Sequence, residues 1–183
     1  MKVAAVLLAA GLSSRFGADK LAAMLDAIPL GHHAARTLMN LDLKARIVVT
    51  GGAGLAWPAE FLAIRNPEPE RGLSHSIRLG VGAARKAGMD AVLIGLADMP
   101  FVSIAHFRCL LDGLSGPDSI LASSTGGRRM PPAVFGSSWF DALDALKGEM
   151  GARSLLAHAV MVEASRRELR DIDYPGDLVD RHT

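Results

Sequence analysis

Runs of apolar residues alternate along this chain with segments of helical spacing, and that alternation limits the fold more than any other feature. Val3-Ala4-Ala5-Val6-Leu7-Leu8 is apolar at both parities, as a strand covered on both faces must be. Residues 46–50 and 91–96 read the same way, and 61–65 is a weaker strand stopped by Asn66-Pro67. Between these runs, Ala34, Ala35, Leu38 and Leu41 share a helical face. Ile77, Val81 and Ala84 share another, with Ser74 as its expected N-cap. Ile104, Phe107, Leu110, Leu111 and Leu114 predict a further helix, 119–122 a short strand, 139–146 and 152–159 helices, and 160–162 and 169–172 late strands. This order specifies a three-layer, Rossmann-like α/β fold around a mainly parallel central sheet. The chain has 183 residues, with no repeat and no long low-complexity linker. Residues 1–183 are therefore expected to form a single domain. Right-handed crossovers place the strand C-termini on one edge, where such sheets bind ligands. Gly11, Gly51 and Asp98 each follow an expected strand, so all three should meet there.

Composition excludes several classes of function. Lys plus Arg is 20 and Asp plus Glu is 19. A formal charge of +1, with only six Phe, two Trp and one Tyr, offers no basic field or stacking platform for nucleic acid. The single cysteine, Cys109, rules out an internal disulfide framework and is expected to be a small buried apolar residue. The apolar run over 3–11 is far below the roughly 20 residues that span a bilayer. With Lys2 in front and Ala9-Ala10-Gly11 behind, it is compatible with a short signal sequence, but it reads better as the buried first strand. A cytoplasmic protein is expected. The six histidines lack paired ligand spacing and are expected to be structural or surface residues.

The segment after the first strand carries chemistry. It reads Leu8-Ala9-Ala10-Gly11-Leu12-Ser13-Ser14-Arg15-Phe16-Gly17-Ala18-Asp19-Lys20. Glycine allows a sharp turn and close approach to a ligand, and successive loop N–H groups can cradle an anion. Arg15 adds a planar fork that fits phosphate, and Lys20 a mobile point charge. Together they suit a nucleoside triphosphate, although a plain glycine turn carrying two solvated charges is the alternative. Two familiar phosphate loops do not fit. Gly11 and Gly17 have five residues between them and Lys20 is followed by Leu21, which fails the P-loop. Ser13 stands where the dinucleotide fingerprint needs its second glycine.

The same segment resembles the opening signature of the molybdopterin-nucleotidyltransferase-like NTP transferases, Leu-Ala-Ala-Gly-x-Ser-x-Arg-x-Gly-x-x-Lys, matching each fixed position from Leu8 to Lys20. Asn66-Pro67 with Gly72-Leu73-Ser74-His75-Ser76-Ile77-Arg78 resembles the family's second segment. Leu96-Ala97-Asp98-Met99-Pro100 resembles its metal-binding Leu-x-Asp-x-Pro. Pro132-Ala133-Val134-Phe135, residues 148–153 and Asp171-Ile172-Asp173-Tyr174-Pro175 resemble later segments. Of the subfamilies, the molybdenum cofactor cytidylyltransferases are the most similar, because Ala9-Ala10-Gly11 stands where guanylyl enzymes carry Ala-Gly-Gly. The chain departs from the family near Met24, where a proline is common, and at Ala27, in place of a glycine. It departs again at Met130-Pro131-Pro132 and at Met150, in the half expected to meet the acceptor.

The resemblance implies a nucleotidyltransferase fold and transfer of CMP from CTP to the phosphate of molybdopterin-type cofactor, with release of pyrophosphate. Lys20, Arg15 and Asp98 are the implied catalytic residues. Leu8, Ala9, Ala10, Gly11, Leu12, Ser13, Arg15, Gly17, Lys20, Asn66, Ser74 and Ser76 would bind the nucleotide. Asp98 and Asp173 would bind Mg²⁺, a hard cation that prefers oxygen ligands. Local roles stay open for three of these: a turn for Asp98, a cap or turn for Asp173, and capping for Ser74. Arg128-Arg129 reads as a solvated pair or as a contact for an anionic pterin phosphate, and residues 51–54 as a simple turn or a loop that admits the base. A sugar phosphate or methylerythritol phosphate is the alternative acceptor. A noncatalytic carrier that hands the cofactor to a target molybdoenzyme is the reading from another class. Lys20 with Asp98 favours the enzyme, since a carrier needs neither a triphosphate loop nor a metal carboxylate.

Overall fold

The structure, a computed structural model, describes residues 1–11, 16–17, 19–52, 54–148 and 152–178. Strand β1 (Val3–Ala9) leads through a hairpin of β2 (Met24–Leu25) and β3 (Ile28–Pro29) into helix α1 (Leu30–Met39). Then come β4 (Ala45–Thr50), β5 (Leu62–Arg65), α2 (Leu73–Lys86), β6 (Ala91–Leu96) and α3 (Ile104–Asp112). Strands β7 (Ile120–Thr125) and β8 (Arg128–Gly136), the short helix α4 (Phe140–Asp144) and β9 (Val160–Glu163) complete the order. A seven-stranded sheet runs β5-β4-β1-β6-β8-β7-β9. Pairing is parallel except on the two sides of β8, which runs against its neighbours.

The alternating strand side chains feed two cores. Ala5, Leu7, Val48 and Leu93 pack with Leu30, Ala34 and Leu38 of α1 and Phe107 and Leu110 of α3. Ala4, Val6, Ile47, Val49 and Ile94 pack on the other face with Ile77, Val81 and Ala84 of α2 and Leu143 of α4. Apolar residues at both parities are what a sheet covered on both faces requires, so the three-layer α/β reading of the sequence holds.

Three local expectations change, and one strand is new. Residues 169–172 are not a strand; Ile172 is fully buried and its N–H is taken by the Asp98 carbonyl at 2.9 Å. The segment over 152–159 forms only a 3₁₀ turn at Leu155–His158. Strand β8 was not legible because Pro131 and Pro132 sit inside it. Prolines lack the ladder donor, and the register with β7 shifts between Ala122 and Ser123, opposite them. Cys109 is exposed, because the buried face of α3 is filled by His106, Phe107 and Leu110. No helix among the described residues is long and apolar enough to cross a membrane.

Candidate active site

Strands β1, β4 and β6 end level with one another. Ala9 pairs with Thr50 and Leu8 with Leu96, so Gly11, Gly51 and Asp98 leave the sheet at the same edge. The Ala97 N–H still bonds the Leu8 carbonyl at 3.0 Å, which extends the β1–β6 ladder to the residue before Asp98.

Lys20 opens a 3₁₀ turn, Lys20–Ala22, whose cap is Asp19. One carboxylate oxygen of Asp19 accepts from the Leu21 N–H at 3.2 Å. The other packs over Gly54, where a β-carbon would lie 2.0 Å from it. From this turn the Lys20 ammonium donates to Asp98 Oδ2 at 2.8 Å and to Asp173 Oδ1 at 3.1 Å. The lysine side chain is only 12% exposed. Burial alone lowers its pKa; the charge and hydrogen bond of Asp98, with those of Asp173, outweigh burial and raise it above the ordinary lysine value. Lys20 is therefore a fixed cation at neutral pH. Asp173 is set by its own turn, in which its N–H and that of Tyr174 both donate to Asp177 Oδ2, at 2.9 and 2.8 Å.

Asp98 does not use its carboxylate for a local turn. Oδ2 meets Lys20, and Oδ1 is buried with no hydrogen-bond partner among the described residues. A buried carboxylate oxygen left unpaired is costly and is the kind of atom a hard cation takes. Asp98 and Asp173, held on one ammonium, therefore fit a divalent metal. No group of three or more His, Cys, Asp or Glu is so placed among the described residues. Asp171, which the sequence did not single out, stands beside this pair. Partial withdrawal from water raises the pKa of its carboxyl above the usual range, and the charges of Asp173 and Asp98 add to this.

Two clefts are lined by residues adjoining the lysine–aspartate cluster in sequence, Asp19 and Leu21 in one and Met99 and Asp171 in the other. The first, about 300 Å³, is lined by Ala9, Ala10 and Gly11 at the end of β1, by Gly51, Gly52 and Gly54 after β4, and by Asp19, Leu21, Leu55 and Trp57. Gly51, Gly52 and Gly54 thus line a cleft as well as following β4. The second cleft, about 320 Å³, has apolar walls from Leu8, Ile77, Leu96 and Met130. Its polar rim consists of Arg128, Arg129, Arg153 and Asp171. Arg129 is anchored there, its Nε donating to the Ala159 carbonyl at 3.0 Å.

Other expected residues stand elsewhere. Asn66 is buried: its amide donates to Ser76 Oγ at 3.0 Å, its Oδ1 accepts from the Glu68 N–H at 2.9 Å, and its own N–H bonds the Thr50 carbonyl at 2.7 Å. It ties the end of β4 to the first turn of α2. Ser74 is buried within that turn and does not cap it, because Gly72 at φ 83° holds the cap position. None of Asn66, Ser74 and Ser76 lines either cleft. Leu12, Ser13, Arg15 and Met150 lie outside the described residues. Two of the histidines make hydrogen bonds away from both clefts: His33 bonds the Leu25 carbonyl at 2.8 Å, and His106 bonds Ser123 at 2.8 Å.

Comparison with known proteins places the chain in a family. Residues 5–165 match the model of the MobA-like NTP transferase domain. The chain is 35% identical to the purine catabolism protein PucB of Bacillus subtilis, over 94% of this chain and 92% of that protein. A nucleotidyl transferase from Methanothermobacter thermautotroptrophicus superposes with a TM-score of 0.79 at 23% identity, covering 97% of this chain and 94% of the other. Rv0371C of Mycobacterium tuberculosis, solved in complex with manganese, superposes with a TM-score of 0.72 at 17% identity, covering 94% and 100%. The chain belongs to the family with a MobA-like NTP transferase domain and is a nucleotidyltransferase of that family.

Proposed function

We propose that this protein transfers CMP from CTP to the phosphate of molybdopterin-type cofactor and releases pyrophosphate. The observation that carries the reading is that Asp98 and Asp173 share the Lys20 ammonium, with two clefts lined by their sequence neighbours. One cleft combines glycines and alanines after β1 and β4 with Leu21, Leu55 and Trp57, and suits a nucleotide. The other is apolar with an arginine rim and suits a flat acceptor that carries an anion.

The acceptor supplies the nucleophile, so no protein nucleophile is needed. An oxygen of its phosphate attacks the α-phosphorus of CTP, the bond from that phosphorus to the bridging oxygen of the β-phosphate breaks, and pyrophosphate leaves. Positioning and charge stabilisation are then the protein's tasks. Backbone N–H groups after β1, from Gly11 through Gly17, cradle the terminal phosphates, and Arg15 joins them. Lys20 exchanges its carboxylate partners for phosphate oxygens when the triphosphate enters. Its ammonium then stands where negative charge grows as the bond to pyrophosphate lengthens. Asp98 and Asp173 would hold Mg²⁺, which when bound neutralises phosphate charge. Arg128, Arg129 and Arg153 receive the acceptor's anion. The whole of 1–183 acts as one domain, in the cytoplasm, with delivery of the product to a molybdoenzyme as the downstream step.

The same arginine rim would accept a sugar phosphate or methylerythritol phosphate, which is the alternative. The test is a matrix of the four NTPs against these acceptors, read by pyrophosphate release and product mass. CTP with molybdenum cofactor is expected to dominate. A preference for GTP of more than about tenfold, a clear difference in transition-state binding, would overturn the cytidylyl assignment. Failure to release pyrophosphate from any NTP would favour the carrier.

A further inference from the structure

Trp57 is half-buried on the wall of the first cleft, where it shares that space with Ala9, Ala10 and Gly51. It lies in the irregular stretch between β4 and β5, so no ladder holds it. The first turn of α1 does. His32 Nε2 donates to the Ala56 carbonyl at 2.7 Å, since a carbonyl can only accept. The His32 ring meets the indole edge-on, with centroids 5.8 Å apart and planes at 65°. At Gly31 a β-carbon would stand 3.0 Å from Trp57 Cη2 and 3.1 Å from Leu55 Cδ2. The lack of a side chain at 31 is what lets the indole come this close to the helix.

An indole braced in this way, in a cleft whose glycines and alanines leave room beside it and whose other walls include Leu21, Leu55 and Pro69, suits a flat aromatic ligand. The direction of the nucleotide follows from the sheet. The first cleft lies on the β4 side of β1, and Asp98 follows β6 on the other side. A nucleotide whose phosphates reach Lys20 across the end of β1 therefore leaves its base beside Trp57. We propose that Trp57 is the aromatic platform for the base of the donor nucleotide, and that Gly31 and His32 are positioning residues that hold it there. The proposal rests on the nucleotidyl-transfer reading above. The base does not change during transfer, so contacts to it act equally on the bound substrate and the transition state and appear in KM rather than kcat.

Intrinsic fluorescence gives a direct test. The chain has two tryptophans, and Trp139 follows β8 at the opposite edge of the sheet, its indole donating to the Asp118 carbonyl at 2.9 Å. In Trp139→Phe the remaining emission is that of Trp57, and CTP added without acceptor should quench it saturably. Trp57→Ala should raise KM for CTP roughly tenfold, the scale of one lost stacking contact, with kcat nearly unchanged, and Trp57→Phe should recover most of the loss. Trp57→Leu replaces Trp57→Ala if the latter does not fold. His32→Ala should weaken CTP in the wild-type background and add little to Trp57→Ala. Unquenched fluorescence would overturn the platform, as would an unchanged KM in a folded Trp57 variant or a loss confined to kcat. An additive His32 effect would overturn the bracing role. Pyrophosphate release that ignores Trp57 leaves nucleotidyl transfer standing and removes only the platform. Saturable quenching with no release from any NTP removes the transfer reading and keeps the base site.

Discussion

The Lys20 ammonium donates to Asp98 Oδ2 at 2.8 Å across 78 residues of sequence. The contact joins the loop after β1 to the loop after β6, and it exists because those two strands are neighbours ending in register at Leu8 and Leu96. A lysine and an aspartate from distant segments thus become one unit, and the strongest tests of the function act on it.

Lys20→Met keeps the length and apolar stem of the side chain and removes the charge. With the ammonium beside the reacting phosphates, kcat should fall roughly a hundredfold or more, the scale seen when one preorganised donor is lost. The fall in kcat should be at least as large as the rise in KM for the NTP. The measurement is steady-state pyrophosphate release at matched metal concentration, with circular dichroism confirming the fold. Wild-type kinetics in a folded variant would take Lys20 out of the site and remove most of the case for nucleotidyl transfer.

Asp98→Asn leaves the side-chain shape and takes away the charge that Oδ1 and Oδ2 share. Turnover should drop by about two orders of magnitude, and the concentration of Mg²⁺ or Mn²⁺ needed for half-maximal rate should rise. Thermal stability should change little, because the Asp98 main chain still bonds Ile172. Near-normal turnover at saturating metal would deny Asp98 its role.

What could be read from residues alone follows from which interactions are local. The runs of β1, β4 and β6 are apolar at both parities because helices cover both faces, and that pattern survives in one dimension. Lys20 and Asp98 were legible because each follows such a run. Asp171 and Trp57 were not, since part of what surrounds each lies far along the chain: Asp98 for one, Gly31 and His32 for the other. The hydrogen bonding of Asn66 was not legible for a related reason. An Asn-Pro after a strand looks like a loop open to ligand, and only the fold shows its amide spent on Ser76. The hairpin β2–β3 has strands of two residues each, too short for any period to show.

That hairpin supplies a prediction about stability. Its turn places Asp26 at φ 50° and Ala27 at φ 61°, the pair of positive values a two-residue turn needs. Asp tolerates this region through its short polar side chain, whereas Ala pays the β-carbon clash in full. Ala27 is exposed, so a change there disturbs no packing. Ala27→Gly should stabilise the fold by about 1 kcal/mol, seen as a higher urea midpoint with an unchanged slope. A lower midpoint would show that the turn is not strained at this position.

The last prediction concerns acid. His106 is buried on the inner face of α3, and its imidazole bonds Ser123 Oγ at 2.8 Å. The Ser123 hydroxyl spends its proton on the Pro132 carbonyl at 2.7 Å, so His106 must donate from Nε2, and a second proton would have to enter at Nδ1. Burial lowers the His106 pKa below the usual histidine value, and the charge of Glu168 offsets only part of that. Glu168 is itself engaged by Ser103 through both the backbone N–H and the hydroxyl. With the folded pKa depressed, the unfolded chain binds the proton first as pH falls. The stability linked to neutral His106 is complete above the unfolded value of about 6.5 and is lost as pH drops through the lower folded value. Inside that window the loss is at most about 1.4 kcal/mol per pH unit for one proton. His106→Gln keeps an amide donor for Ser123 but cannot titrate. Urea midpoints at pH 8, 7, 6 and 5 should therefore fall more steeply for wild type than for His106→Gln below about pH 6.5. Parallel curves would show that the His106 proton is not what acid acts on.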